Sequence, residues 1–283
     1  MTEFLVENLL LIAFLFPAYL IMEWIEKHSS SKTLDMLGNA NQYGPLIGSA
    51  VGLIPQCGFS SAATSLYSGG VISIGTLIAV FLSTSDELIP VLISKQIPPL
   101  FIGKLIGLKL MFGICVGFAV NAFLTCTKQK IVVPHVAELC EHSNCHCHED
   151  NHRILKPAIV HTLQTFGFIF LFSAIVKFIL EMFGGEEFLS GSTGIFNIPV
   201  VGEFLGGLVG LIPNCAASVA CAELYSQGCM SCGSLLASSL TGAGLGLLVL
   251  FKVNRSFLDS LKILGLLYVV GSILGFCGGI FLK

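Results

Sequence analysis

Two stretches of the chain place an amide, a thiol and a hydroxyl directly after a helix-breaking proline. They are Pro55-Gln56-Cys57-Gly58-Phe59-Ser60 and Pro213-Asn214-Cys215-Ala216-Ala217-Ser218. Thiolates select soft, thiophilic ions, whereas carbonyl and hydroxyl oxygens serve harder ones. One cysteine in an apolar segment reads as a small core residue. Two, at equivalent places after equivalent prolines, read as ligands. Gln56, Cys57, Ser60, Asn214, Cys215 and Ser218 are therefore candidate binding residues. A second group, Ser83-Thr84-Ser85-Asp86-Glu87, interrupts the apolar run 71–93. Acids at membrane depth cost at least about 2.5 kcal/mol on insertion scales and usually serve ions or protons. Asp86 and Glu87 are candidates on that ground, with a helix cap near an interface as their plainer role. Glu223, in Cys221-Ala222-Glu223-Leu224-Tyr225, is a further acid suited to a proton or a cation. Lys109, Lys177, Glu181 and Glu203 are weaker candidates, because their side chains could snorkel to an interface.

A tract near the middle of the chain is dense in metal ligands: Cys140, His142, Cys145, His146, Cys147 and His148, flanked by His135, His152, Glu138, Glu141, Glu149 and Asp150. Thiolate, imidazole and carboxylate donors at this density bind transition metals. Their spacing matches no zinc-finger pattern, so a flexible chelating arm for a divalent transition metal is expected, with no other cofactor assigned. Cys229-Met230-Ser231-Cys232 has C-x-x-C spacing without a thioredoxin-like surround, which leaves a disulfide or a pathway lining. No phosphate-cradling loop, catalytic triad or metalloprotease motif occurs, so neither ATP nor an enzymatic reaction is implied.

What positions these groups is set by composition and repetition. The chain is 54% hydrophobic and 11% charged, against about 25% charged residues in a soluble domain. So little charge cannot dress a water-facing surface, and lipid must cover much of it. A net charge of −3 argues for no nucleic-acid partner. Apolar runs fall at residues 4–22, 43–66, 71–93, 100–125, 159–183, 198–224, 229–251 and 258–282. A spanning helix needs about 20 such residues. The first run follows Glu3 and Glu7 rather than a basic start, and is expected to be a retained span rather than a cleaved signal. Gly52-Leu-Ile-Pro-Gln-Cys57 matches Gly210-Leu-Ile-Pro-Asn-Cys215, and Leu66-Tyr67-Ser68-x-Gly70 matches Leu224-Tyr225-Ser226-x-Gly228. The offset of 158 residues holds without a gap, with 18 of 42 positions identical from Gly52 and Gly210 onward, and it persists to Gly113/Gly271 and Gly117/Gly275. Unrelated apolar helices would not keep one register through Pro, Cys, Tyr and Ser. The chain thus divides into a first transmembrane repeat (1–126), a His/Cys linker (127–157) and a second repeat (158–283).

Pro55 and Pro213 sit in the middle of their runs, and each resulting piece of about 11 residues reaches roughly 16 Å, half of a hydrocarbon core. Re-entrant hairpins fit these lengths, and so do kinked spans. The basic residues favour hairpins. With three crossings per repeat, Lys27, Lys32, Lys128, Lys130, Arg153, Lys156, Lys252, Arg255 and Lys262 share one side, with Lys95, Lys104 and Lys283 opposite. The fold class expected is an all-α polytopic membrane protein of two inverted repeats with broken helices and re-entrant hairpins, its linker cytoplasmic and both termini outside. Broken helices in inverted repeats mark secondary transporters, because freed backbone groups at membrane depth are tolerated only in a cavity or against protein.

The doubled Gly-Leu-Ile-Pro-x-Cys motif, the Leu-Tyr-Ser-x-Gly that follows each copy and the His-rich central loop resemble the ten-helix heavy-metal exporters, whose members are labelled arsenic efflux proteins or manganese transporters. The resemblance implies a multi-pass protein of a prokaryotic-type plasma (inner) membrane that carries a small inorganic ion. The expected function is export of a heavy-metal or metalloid ion by alternating access. Transport of an organic anion or lipophilic solute, with a metal-responsive linker, is the alternative; a membrane-bound sensor or redox enzyme would need a partner domain or cofactor motif. Oligomeric state is left open, a homo-oligomer included.

Overall fold

The computed structural model describes residues 43–54, 57–85, 88–126, 195–213, 215–254 and 256–282, with isolated helical residues within 16–20 and 155–171. Gln56, Asp86, Glu87, Asn214 and the linker ligands Cys140, His142, Cys145, His146, Cys147 and His148 lie outside the described residues, as do the side chains of Cys57 and Cys215. No strand occurs among the described residues. The first repeat contributes Gly44–Gly52 (α1), Cys57–Ser68 (α2), Ile74–Ser83 (α3), Leu88–Ser94 (α4) and Pro99–Cys126 (α5). The second contributes a 3-10 turn at Ile195–Asn197, then Val201–Gly210 (α6), Cys215–Ser226 (α7), Cys232–Thr241 (α8), Leu245–Val253 (α9) and Phe257–Leu282 (α10). The helix bounds therefore repeat in the register of the sequence motifs.

The Leu-Tyr-Ser-x-Gly motif is a helix stop. Val71 N–H donates to Leu66 C=O at 2.8 Å and Gly70 N–H to Tyr67 C=O at 2.9 Å. Cys229 to Leu224 and Gly228 to Tyr225 repeat this at 2.8 and 3.0 Å. This is the Schellman closure, which needs a left-handed residue, and Gly70 (φ 70°) and Gly228 (φ 74°) supply it. The next helix starts three residues later on a serine cap. Ser73 Oγ accepts from Thr76 N–H at 3.1 Å, and Ser231 Oγ from Ser234 N–H at 3.0 Å. Each cap satisfies one of the unpaired amides of a helix start.

Among the described residues, four stretches are long and apolar enough to cross a membrane: 74–94 (α3 with α4), α5, 232–253 (α8 with α9) and α10. The two interrupted stretches are 75% and 89% buried, and the two continuous ones only 28% and 39%. Breaks are thus kept inside, where protein can satisfy the freed backbone, and unbroken helices face outward, as a lipid surround requires. The chain is an all-α polytopic membrane protein. Leu77, Ile78, Phe81, Leu82, Leu235, Leu236 and Leu240 fill the centre. Close helix approach is built from small residues. A side chain on Gly117 would meet Ala79 Cβ at 2.8 Å, and one on Gly275 would meet Ala237 Cβ at 2.5 Å. Ala79 and Ala237 are themselves repeat counterparts.

Within each repeat, α1 lies along α3 and α6 along α8. Pro45 sits by Gly117 at the start of α3, whereas Gly52 sits by Ser83 at its end. The return pieces cross over: α2 packs on α9 of the other repeat, and α7 on α4. At one end, Phe101 of α5 stacks on Tyr225 of α7 with ring centroids 5.1 Å apart.

Candidate functional site

The interruptions of α3/α4 and α8/α9 arise differently. Thr84 caps α3 with φ −55° and ψ 128°, its N–H on Val80 C=O. Ser83 and Thr84 turn their hydroxyls back onto Ala79 and Val80 carbonyls at 2.8 and 2.7 Å, leaving Thr84 C=O to the break. In the second repeat Gly242 N–H makes the last helical bond, to Ser238, and Ala243 N–H then goes to Thr241. Ser239 C=O, which Ala243 would otherwise engage, is freed. Gly244 passes through φ 55° and ψ −140°, a backbone state reserved for glycine, before α9 begins.

Both freed carbonyls meet one side chain. Lys109, in the middle of α5, is fully buried. Its Nζ donates to Thr84 C=O, to Ser239 C=O at 2.9 Å and to Ser239 Oγ at 2.5 Å. Helix C-termini carry partial negative charge and favour a cation; here two, one from each repeat, converge on an ammonium. Lys109 does not snorkel. It stands ten residues into α5, about 15 Å along the axis, farther than a lysine reaches. That depth was the signal in the sequence.

The ends of α1 and α6 come to the ends of α3 and α8: Gly52 adjoins Ser83, and Gly210 adjoins Thr241. Cys57 and Cys215 open α2 and α7 at identical places in the repeat. Ser60 is fully buried, its carbonyl accepting from Thr64 Oγ1 at 2.8 Å. Thr64 Oγ1 also donates to Gly246 C=O, in the first turn of α9, at 3.1 Å. A side chain on Gly246 would meet both Ser60 and Phe81 at 2.9 Å. Ser218 is half-buried in α7.

Glu223 is elsewhere. It ends α7 in an ion pair with Lys95 at 2.5 Å, both side chains about one-third exposed (32% and 39%), and it accepts from Gln227 Nε2 at 3.0 Å. The hydrogen bond from Lys95, then that from Gln227, hold its carboxyl below the usual range. Glu203, in the first turn of α6, is 6% exposed and lies beside Gly233 at the start of α8; its Oε2 has no hydrogen-bond partner among the described residues. Cys229 and Cys232 are free thiols rather than a disulfide, with Cys232 Sγ 3.5 Å from Tyr225 Oη. Among the described residues no group of three or more His, Cys, Asp and Glu gathers around one point.

Compared with protein-family models, residues 9–202 match the family described as "Putative, 10TM heavy-metal exporter". The chain belongs to this family. The match runs through the first repeat, the linker and the opening of the second repeat. No curated protein and no solved structure matches the chain.

Proposed function

We propose that this chain is a secondary transporter that exports a heavy-metal or metalloid ion, manganese, arsenite or similar, across a prokaryotic-type plasma membrane by alternating access. The observation that carries the reading is the meeting of breaks from both repeats at one buried point, with Thr84 and Ser239 joined through Lys109. Backbone freed at membrane depth is retained where it serves an ion. The cargo site comprises Gln56, Cys57, Ser60, Asn214, Cys215, Ser218, Asp86 and Glu87, with Glu223 at one mouth. The linker thiols and imidazoles, Cys140, His142, Cys145, His146, Cys147 and His148, gather the ion on the cytoplasmic side and deliver it.

The two repeats are read as inverted in the bilayer. Three contacts support this. The start of α3 adjoins the end of α5, through Gly75 and Asn121. The start of α5 adjoins the end of α7, through Phe101 and Tyr225, seven residues before α8 begins. The end of α10 adjoins the start of α8, through Gly279 and Gly233. So α3 and α8 set out from opposite ends, and each proline break turns a hairpin back toward the end it came from.

Metal flux into inside-out vesicles tests the function. Uptake that requires the chain is expected, and its loss in a Cys57→Ser, Cys215→Ser double variant is expected if the thiols bind cargo. Unchanged flux in that variant removes the thiols from the site. Deletion of 135–152 is expected to lower flux at limiting metal and to leave it intact at saturation.

A further inference from the structure

The buried ammonium of Lys109 points to the charge of the cargo and to how the empty carrier returns. We infer that Thr84 C=O, Ser239 C=O and Ser239 Oγ form a cation site shared by the two repeats, and that Lys109 is its tethered stand-in, filling the site when no metal cation is loaded and leaving it when one is. This rests on the export reading above and deepens it by naming the cargo as a metal cation.

A lysine ammonium has three N–H donors, and among the described residues it meets three protein oxygens. The set is what a small hard cation takes: two backbone carbonyls and a hydroxyl. Apart from the Lys109 ammonium, the described groups named here are acceptors, and two helix C-termini disfavour an anion there. A neutral metalloid hydroxide can donate hydrogen bonds to these oxygens but gains less from that field than a cation does.

The stand-in answers a physical need. Net export requires the unloaded protein to change over between its two faces. An empty cage of desolvated carbonyls is costly, since each unpaired buried acceptor loses its solvation without recompense. The Lys109 side chain removes that cost by hydrogen-bonding the oxygens itself, and it ties the repeats together while doing so. Loading reverses the exchange: the incoming cation takes the oxygens and the ammonium swings aside. No bond breaks and no proton moves. The repeat counterpart of Lys109 is Leu267, and that of Ser239 is Phe81, so the fold carries a single stand-in.

The test separates two fluxes of Mn2+ in proteoliposomes of the full chain. Net efflux needs the empty return step; exchange of labelled for unlabelled Mn2+ does not. In Lys109→Leu, which borrows the residue of the other repeat, net efflux is expected to fall roughly tenfold or more, the factor one lost buried hydrogen bond is worth. Exchange is expected to fall by less than net efflux does. Equal loss of both fluxes, or of neither, overturns the stand-in role. Transport of arsenite in place of Mn2+ overturns the cation assignment. A second measurement judges the cage apart from transport: the melting temperature of detergent-solubilised Lys109→Ala in methylammonium chloride against choline chloride. A rise confined to methylammonium, absent in wild type and in Lys109→Leu, supports the cage, and equal melting overturns it. If wild type moves neither Mn2+ nor arsenite, the export reading fails while this second measurement still decides the cage.

Discussion

The two repeats share a backbone and differ in where they keep polar groups. Helix for helix, cap for cap and turn for turn, they correspond in register: Ser73 with Ser231, Gly70 with Gly228, Ala79 on Gly117 with Ala237 on Gly275. Their interiors do not. The first repeat breaks its span with Thr84 and Ser85 and brings in Lys109; the second breaks it with Gly242 and Gly244 and keeps Leu267 where the lysine would be. The receiving residues differ as well, Ser239 against Phe81, both well buried. One polar pair, Lys109 with Ser239, therefore stands opposite an apolar pair, Leu267 with Phe81. The duplicated part is what creates freed carbonyls twice over; the divergent part decides which of them face a charge.

Moving the charge to the other repeat is the harshest way to break this comparison. In Leu267→Lys the new ammonium would lack the hydroxyl that Ser239 gives Lys109, because the repeat counterpart of Ser239 is Phe81. A lysine at helix mid-depth costs about 2.5–3.5 kcal/mol without a partner. The loss, read as folded yield and melting temperature in detergent, is expected to exceed that of any glycine, cap or surface substitution. Adding Phe81→Ser to that variant supplies the missing acceptor, and part of the loss is expected to return. A double variant no better than Leu267→Lys would mean that the Lys109 site depends on more than its acceptor pair.

The breaks can be compared next. Gly244 holds φ 55° and ψ −140°, and forcing an L residue there costs about 1–3 kcal/mol. Thr84 ends α3 at ordinary angles, so nothing in its backbone demands its type. Gly244→Ala is expected to lower the melting temperature clearly. Thr84→Ala, which removes only the hydroxyl bond to Val80, is expected to lower it less. The reverse order would place the strain in the first repeat.

These contrasts show what the sequence can convey. The doubled motifs and the register of the repeats were legible as sequence identity, and the hydrogen bonds of the Leu-Tyr-Ser-x-Gly stop and the serine caps follow that register. The bond from Lys109 to Ser239 was not, because its partners are 130 residues apart and only the packing of α5 between two broken spans brings them together. The depth of Lys109 could still be counted along its helix. Glu223 shows the converse: it lies eight residues beyond Cys215, about 12 Å along α7, where that helix ends beside Lys95, a partner its sequence neighbours do not announce. The crossing of α2 onto α9 and of α7 onto α4 had no local signature.

A smaller effect tests the symmetric part. Ser73 and Ser231 make the same capping bond, at 3.1 and 3.0 Å. Loss of an N-cap costs about 1 kcal/mol. Ser73→Ala and Ser231→Ala are expected to lower the melting temperature by similar amounts, and to add when combined because the sites are independent. Unequal losses would show that the repeats have diverged in backbone energetics as well as in polar content.

The smallest effect belongs to an asymmetry at the surface. Glu223 pairs with Lys95, whereas its counterpart Ser65 is buried and bonds to Ser61 C=O of its own helix at 3.1 Å. Lys95 and Gln227 hold the Glu223 carboxyl below its ordinary value. A depressed folded value means that the contribution is present above the unfolded value and fades as pH falls through the folded one. Wild type should therefore lose slightly more stability than Glu223→Gln as the solution is acidified from neutral, and the two should converge once the carboxyl is protonated. Water screens a pair this exposed, so the difference should also shrink with added salt. A salt-insensitive difference would place Glu223 in a drier setting than the end of α7.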